Sequence, residues 1–390
     1  MRRVVITGIG PMWGETAGQE KFFTGLLEKK TLIEPVPSLF EQHSRMRSRF
    51  FVPPPRLEGY EKSMEEMSKI ALGCTGLALA DAGLADLAGA GVIMGVGMGS
   101  LNTGFTSYYS HVSGEGRFNR LVIPMLMPNA PAAWISLKYG ADRQCYSVNA
   151  ACASGTVAIG EAYEKIAAGT MDLVLAGGVD CLSDSHGAIM RGFDSLGALT
   201  VSADGLSRPF SRQRSGFLFN MGAGCALILE ELSHARKRDA RIYGELVGYA
   251  GNTCSGGIVQ MPEDITPMLP LFEMARGHRI DYFNTHGTGT EQNDRMERDL
   301  ICRLWGDDQP FLNSTKGLIG HSIGASGALE AAATVLSIYH GQVHGNLTGD
   351  VIEGLDCPGE SGALAIDYAL SASYGFGGHN ALLMLRRYHP

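Results

Sequence analysis

The chain has 390 residues, 45% hydrophobic and only 18% charged against the roughly 25% usual in soluble domains, so it can bury a large core and expose apolar surface to another chain. Its 32 basic and 40 acidic residues leave a net charge of −8, which excludes a surface built to neutralise the phosphates of nucleic acid. Glycine, at 52 residues without a three-residue period, points to tight turns and close backbone contacts and excludes a collagen-like repeat.

Val4-Val5-Ile6-Thr7 reads as a buried strand that breaks at Gly8-Ile9-Gly10 and Pro11, too early for the apolar core of a secretory leader. Phe50 to Arg56 carries three prolines and predicts an exposed loop, not a central strand. Met64 to Ala82 has helical spacing, and Gly91 to Gly99 reads as a second strand running into a turn. After Cys152 a helix is stopped at Gly169, and Asp172 to Gly177 forms the next strand. A charged seam follows from Glu230 to Ile242.

The same grammar then returns. Ile280 to Asn284 is a strand, a Gly/Thr loop leads to a helix through Met296 to Trp305, and Phe311 to Asn313 is a short strand. A long helix from about Ser322 to His340 is closed by Gly341. This predicts an α/β fold of two related βαβ-rich halves, 1–235 and 236–390, sharing one packed body. With no run of 18 apolar residues, no membrane span is expected and the chain reads as cytoplasmic. The eight cysteines (74, 145, 152, 181, 225, 254, 302, 357) form no C-x-x-C pair, so neither a metal site nor a disulfide frame is indicated.

Chemistry concentrates at three residues. Cys152, in Ser147-Val148-Asn149-Ala150-Ala151-Cys152-Ala153-Ser154-Gly155, lies between the end of a strand and the start of a helix, with only small neighbours. A helix N-terminus is expected to lower the thiol pKa and to stabilise an adjacent oxyanion. His286 lies in Asn284-Thr285-His286-Gly287-Thr288-Gly289-Thr290, and His321 at the start of a helix in Gly320-His321-Ser322-Ile323-Gly324. There the dipole would keep an imidazole neutral and able to donate to a developing oxyanion.

The segments VNAACASG, NTHGTGT, STKGLIGHSIGASGALE and YGFGGHN, in that order, resemble the motif set of the β-ketoacyl-acyl-carrier-protein synthases of the thiolase-like superfamily. The resemblance covers nearly the whole chain and implies a five-layered αβαβα fold. Two histidines point to the decarboxylating, elongating branch, in fatty-acid or type II polyketide synthesis, with a weaker resemblance to aryl-polyene synthases. It implies that Cys152 carries the acyl primer while His286 and His321 stabilise the malonyl group as it loses carbon dioxide. It further implies that Lys316 tunes His321, that Glu297 supports the polar shell, and that Phe376, between Gly375 and Gly377, gates the acyl pocket. The N–H groups of Phe376 and Cys152 would form the oxyanion hole, and Thr288 and Thr290 would meet the phosphopantetheine arm. No cofactor is implied beyond the phosphopantetheine of an acyl carrier protein. The expected assembly is a homodimer through the strand Tyr146 to Asn149, with a heterodimer with a related subunit as the alternative.

Departures from the pattern accompany the matches. Asn220 and Met221 stand where the family commonly has glycine and an acid, and the stretch Glu61 to Lys69 is acidic where a basic carrier-docking cluster is usual. Docking would then use Arg117, Arg120 and Lys138, or a partner subunit. The rival reading is a serine hydrolase or thioesterase using Gly320-His321-Ser322-Ile323-Gly324, with Asp350 or Asp367 and His379 following. A poor preceding strand and too little chain after Ser322 argue against it. A non-catalytic chain-length subunit is the other alternative, and Cys152 argues against that.

Overall fold

The computed structural model describes residues 1–42, 45–60, 64–116, 118–254 and 256–390. Ten strands follow one another across a single sheet. The first five are β1 (Val4–Trp13), β2 (Gly91–Gly95), β3 (Cys145–Val148), β4 (Leu173–Cys181) and β5 (Gly222–Glu231). The other five are β6 (Gly244–Thr253), β7 (Tyr282–Asn284), β8 (Phe311–Asn313), β9 (Tyr368–Gly375) and β10 (His379–Arg386). The order is β8-β7-β9-β10-β6-β1-β5-β4-β2-β3. Read inward from the edge to the junction, each half has the same arrangement: its third strand at the edge, then second, fourth, fifth and first. The directions match too, since β2 runs parallel to β3 and β4 as β7 does to β8 and β9, and the remaining pairs are antiparallel. The halves join through β1 and β6, antiparallel from Val4↔Leu246 to Ile6↔Gly244.

Four helices define the layers: α1 (Glu66–Ala82), α2 (Ser154–Ala167), α3 (Glu291–Trp305) and α4 (Ser326–His340). α4 is buried on every side from Ser326 to Ile338, as a helix must be when sheet covers both its faces. It packs with α2 between the two halves of the sheet, α1 lies outside β1 and β5, and α3 shares its apolar face with a separate core cluster containing Phe283 and Leu312. The result is the five-layered αβαβα arrangement.

Local outcomes refine the sequence reading. β1 does not stop at Gly8: it continues to Trp13, with a bulge in its pairing with β5 between Ile6 and Gly8. The glycines serve close packing, because a Cβ on Gly10 would fall 2.0 Å from the carbonyl oxygen of Cys74 on α1. Phe50–Val52 is a short central strand between Glu34–Pro35 and Phe219–Asn220, and its prolines lie just beyond it. Phe51 and Val52 are buried, and although the chain leaves the strand at Pro53 the expected exposed loop is not found there: Pro55 is buried as well, and only Arg56 of the segment is exposed. The long helix starts at Ser326 and not Ser322, because a 3-10 turn, Ile323–Ala325, precedes it. Glu61 to Ser63 and Arg117 lie outside the described residues. Of the rest of the acidic stretch, Glu65 is buried and caps α1 by accepting from the Ser68 N–H at 3.1 Å, and Glu66 pairs with Lys69.

Candidate active site

The two halves meet at the ends of β3 and β7, where a cavity of about 350 Å³ opens. Its lining includes Cys152, His286, His321, Thr288, Thr290 and Phe376, with Phe193, Phe217 and Ile323 as apolar wall. The structure thus gathers residues from positions 152 to 376 around one thiol.

Cys152 sits in a 3-10 turn, Ala151–Ala153, that leads into α2. Ala151 before it has φ 49°, a strained conformation for a non-glycine residue. β9 ends beside this turn: a side chain at Gly375 would approach the Ala150 carbonyl oxygen to 2.5 Å, so only glycine lets the chain leading to Phe376 pack against the turn that carries Cys152. The expected lowering of the thiol pKa is overturned. Burial pushes Cys152 up to about 11, against the opposing pull of the Lys316 charge and hydrogen bonding from the backbones of Phe376 and Cys152 itself. Burial thus favours the protonated thiol in the free protein.

His286 follows β7 and is 1% exposed. Its backbone N–H donates to Glu297 Oε1 at 2.8 Å and that of Gly287 to Oε2 at 2.8 Å. Glu297, on α3 and pushed up to about 7 by burial, therefore fixes the loop and does not face the cavity chemistry directly. Lys316 is equally buried. Its Nζ donates to the His286 carbonyl at 2.8 Å, lies 3.1 Å from His286 Nδ1 and is ion-paired with Glu330. The expectation that Lys316 tunes His321 is thus corrected: its direct partner is His286, and its charge reaches His321 only through space. An ammonium has no acceptor, so Nδ1 of His286 accepts and its proton resides on Nε2.

His321 precedes α4 by five residues and does not lie at its first turn. Its Nδ1 is 2.8 Å from Ser326 Oγ, and its ring meets that of His286 edge-on at 5.6 Å. Ser326 Oγ already accepts the Ser322 N–H at 3.0 Å, so its own proton is available to Nδ1 and leaves Nε2 of His321 as a donor. Both imidazoles are held well below their usual range. Burial is the main cause, reinforced by the charge of Lys316. Thr288 and Thr290 face each other at 2.9 Å between hydroxyls at the cavity wall.

The serine-hydrolase reading fails on geometry. Ser322 is fully buried with its hydroxyl directed at Ser326, Asp350 pairs with Arg212, and Asp367 pairs with Arg387. His379 is exposed at the start of β10. Two residues that contact this cluster went unnoticed in the sequence, Glu330 beside Lys316 and Ser326 beside His321. Their signal was present: Glu330 is the only acid in α4, and a buried acid requires a partner.

The arrangement places one thiol and two imidazoles on the wall of one cavity. Comparison with known proteins agrees. Residues 1–235 match the β-ketoacyl synthase N-terminal domain family, and residues 268–350 the C-terminal domain family. The chain belongs to the β-ketoacyl synthase family. It is 32% identical to the 3-oxoacyl-[acyl-carrier-protein] synthase 2 of Synechocystis, over 99% of this chain and 98% of that one. It is 34% identical to a putative polyketide β-ketoacyl synthase 1 of Streptomyces halstedii, over 98% of each. Among solved structures, a β-ketoacyl synthase from Burkholderia phymatum superposes with a TM-score of 0.88 at 30% identity, covering 100% of both chains. A ketosynthase solved with its type II polyketide acyl-carrier protein gives 0.90 at 26% identity, covering 99% of this chain and 100% of that one. The synthase has no helix, among its described residues, long and apolar enough to cross a membrane.

Proposed function

We propose that the synthase extends an acyl chain held on Cys152 by decarboxylative condensation with a malonyl thioester, both delivered on the phosphopantetheine of an acyl carrier protein. The observation that carries the assignment of residues is the shared cavity in which Cys152 from one half faces two neutral imidazoles from the other. In the first half-reaction the Cys152 sulfur attacks the primer thioester, a new C–S bond forms, and the carrier thiol leaves with the proton. In the second, the malonyl C–C bond to its carboxylate breaks and carbon dioxide departs. The electron pair then attacks the acyl carbon, and Cys152 leaves as thiolate. His286 and His321 donate to the oxygen of the malonyl thioester where enolate charge develops. The backbone N–H groups of Cys152 and Phe376 serve the tetrahedral oxygen on the primer. Thr288 and Thr290 at the wall accept the pantetheine arm, while Lys316 and Glu297 hold His286.

We take 1–235 and 236–390 as the two halves, one supplying the nucleophile and the other the histidines. A second copy of the chain covers the edge strand β3 and the helix Leu101–Ser113, which has no buried residue and exposes Phe105, Tyr108, Tyr109 and Val112. A structure of similar fold was solved as a ketosynthase/chain length factor, which makes a related partner subunit the alternative to be tested. Reaction in the cytoplasm completes the reading.

The half-reactions separate by residue. Cys152→Ala should neither load nor extend a primer but should still decarboxylate malonyl thioester. His321→Ala should load Cys152 and extend about 10² to 10³ more slowly, the usual loss for one oxyanion donor. Intact-mass analysis with acyl-carrier thioesters follows both, and extension by Cys152→Ala would overturn the assignment.

A further inference from the structure

Asn220, which with Met221 departs from the motif pattern the chain resembles, is fully buried. It lies on the short strand Phe219–Asn220, which runs alongside the segment carrying His321. Two backbone bonds join them: the His321 N–H donates to the Leu218 carbonyl at 2.8 Å, and the Asn220 N–H to the His321 carbonyl at 3.2 Å. Any residue at 220 except proline could supply the second. A third bond belongs to the side chain alone, because Asn220 Nδ2 donates to the Ile319 carbonyl at 2.8 Å. The amide is oriented for this by its other end, where Oδ1 accepts the Gly222 N–H at 3.0 Å.

The segment is thereby held on both sides of Gly320, at Ile319 before it and at His321 after it. Glycine at 220 would leave the Ile319 side without this tether. Ile319 also ends the short helix Lys316–Ile319, so the tether reaches the element that places Lys316 against His286.

We propose that Asn220 is a positioning residue for His321, fixing the imidazole for the condensation half-reaction and contributing nothing to acylation of Cys152. The inference rests on the reading of His321 as an oxyanion donor. Donors in such sites are worth most at fixed distance, and small misplacements are costly.

The test uses the full chain with Asn220→Gly, Asn220→Asp and, as reference, His321→Ala. Acylation of Cys152 is followed by intact mass, condensation by kcat and KM for malonyl-carrier thioester, and folding by thermal melting. Asn220→Asp has the same shape and keeps the bond to Gly222 but turns a carboxylate oxygen toward the Ile319 carbonyl, so it carries the test if the glycine variant does not fold. The expected result is a condensation kcat lower by about tenfold, with KM and the acylation rate unchanged within about twofold. Acylation falling in step with condensation would show a merely structural role and overturn the proposal. So would wild-type condensation in both variants while His321→Ala is crippled. Should His321→Ala itself condense normally, the reading of His321 fails first and the proposal falls with it.

Discussion

Lys316→Met keeps most of the side-chain length and removes the charge and all three donors. Those donors serve the His286 carbonyl at 2.8 Å, His286 Nδ1 at 3.1 Å and the Glu330 carboxylate. Losing the Nδ1 contact frees His286 to place its proton on Nδ1, and Nε2 then becomes an acceptor facing the cavity. One oxyanion donor is lost by tautomer and not by truncation, so condensation should slow by about 10² to 10³. Losing the ion pair strands Glu330 in the interior, where breaking a buried pair costs about 3–5 kcal/mol. The actual loss should lie toward the lower end, because burial already pushes the Glu330 carboxyl up to about 7 and protonation relieves the stranded charge.

The double variant Lys316→Met/Glu330→Gln separates these effects. Neutral at both positions, it should recover most of the thermal stability and none of the condensation rate, while Cys152 still loads. Melting temperature, intact mass after acyl transfer and single-turnover extension provide the three readouts. Condensation by Lys316→Met within about threefold of wild type, or its return in the double variant, would refute the tautomer argument.

Two further expectations follow from the site and surface. Because the thiolate is the reactive form and Cys152 is pushed up to about 11, alkylation of the free enzyme by iodoacetamide should climb about tenfold per pH unit from roughly pH 7 to 10. A plateau below about pH 8 would instead indicate a thiolate already formed in the free enzyme. The exposed apolar face predicts a dimer by light scattering and dissociation on Tyr108→Asp together with Tyr109→Asp, residues 70% and 61% exposed in the single chain. A wild-type monomer at micromolar concentration would remove this interface from consideration.

Much of the core of the fold was legible because its signals are local. Phe311–Asn313 is a strand flanked by turn residues, and Gly341 closes α4 in the left-handed conformation. The motifs that carry Cys152, His286 and His321 were legible, and the structure brings the three residues to one cavity. What sequence could not show depends on distant partners. Whether Gly8 breaks a strand or bulges it depends on how closely α1 packs, and β1 meets α1 more than sixty residues later. The direction of the Cys152 shift was misread because a dipole argument counts the helix end and not the burial that outweighs it. Lys316 was assigned to the nearer histidine in sequence, but its Nζ crosses to the one thirty residues earlier.

The duplicated fold also explains why the two halves carry different chemistry. Ala153-Ser154-Gly155 and Ala325-Ser326-Gly327 are the same three residues, a repeat the sequence reading overlooked, and each completes a 3-10 turn before a helix. The residue that opens each turn is strained alike, Ala151 at φ 49° and Ile323 at φ 52°. In both, the serine hydroxyl accepts an N–H from four residues earlier, Ala150 at 2.9 Å and Ser322 at 3.0 Å. In the first half Ser154 returns its proton to the Ala151 carbonyl at 2.7 Å, closing the turn under Cys152. In the second, the position matching Cys152 is Gly324, and Ser326 instead faces His321 Nδ1 at 2.8 Å. One backbone device thus holds a thiol in one half and contacts an imidazole in the other. Both copies keep the strained residue at the turn, one carrying the thiol and the other holding the imidazole.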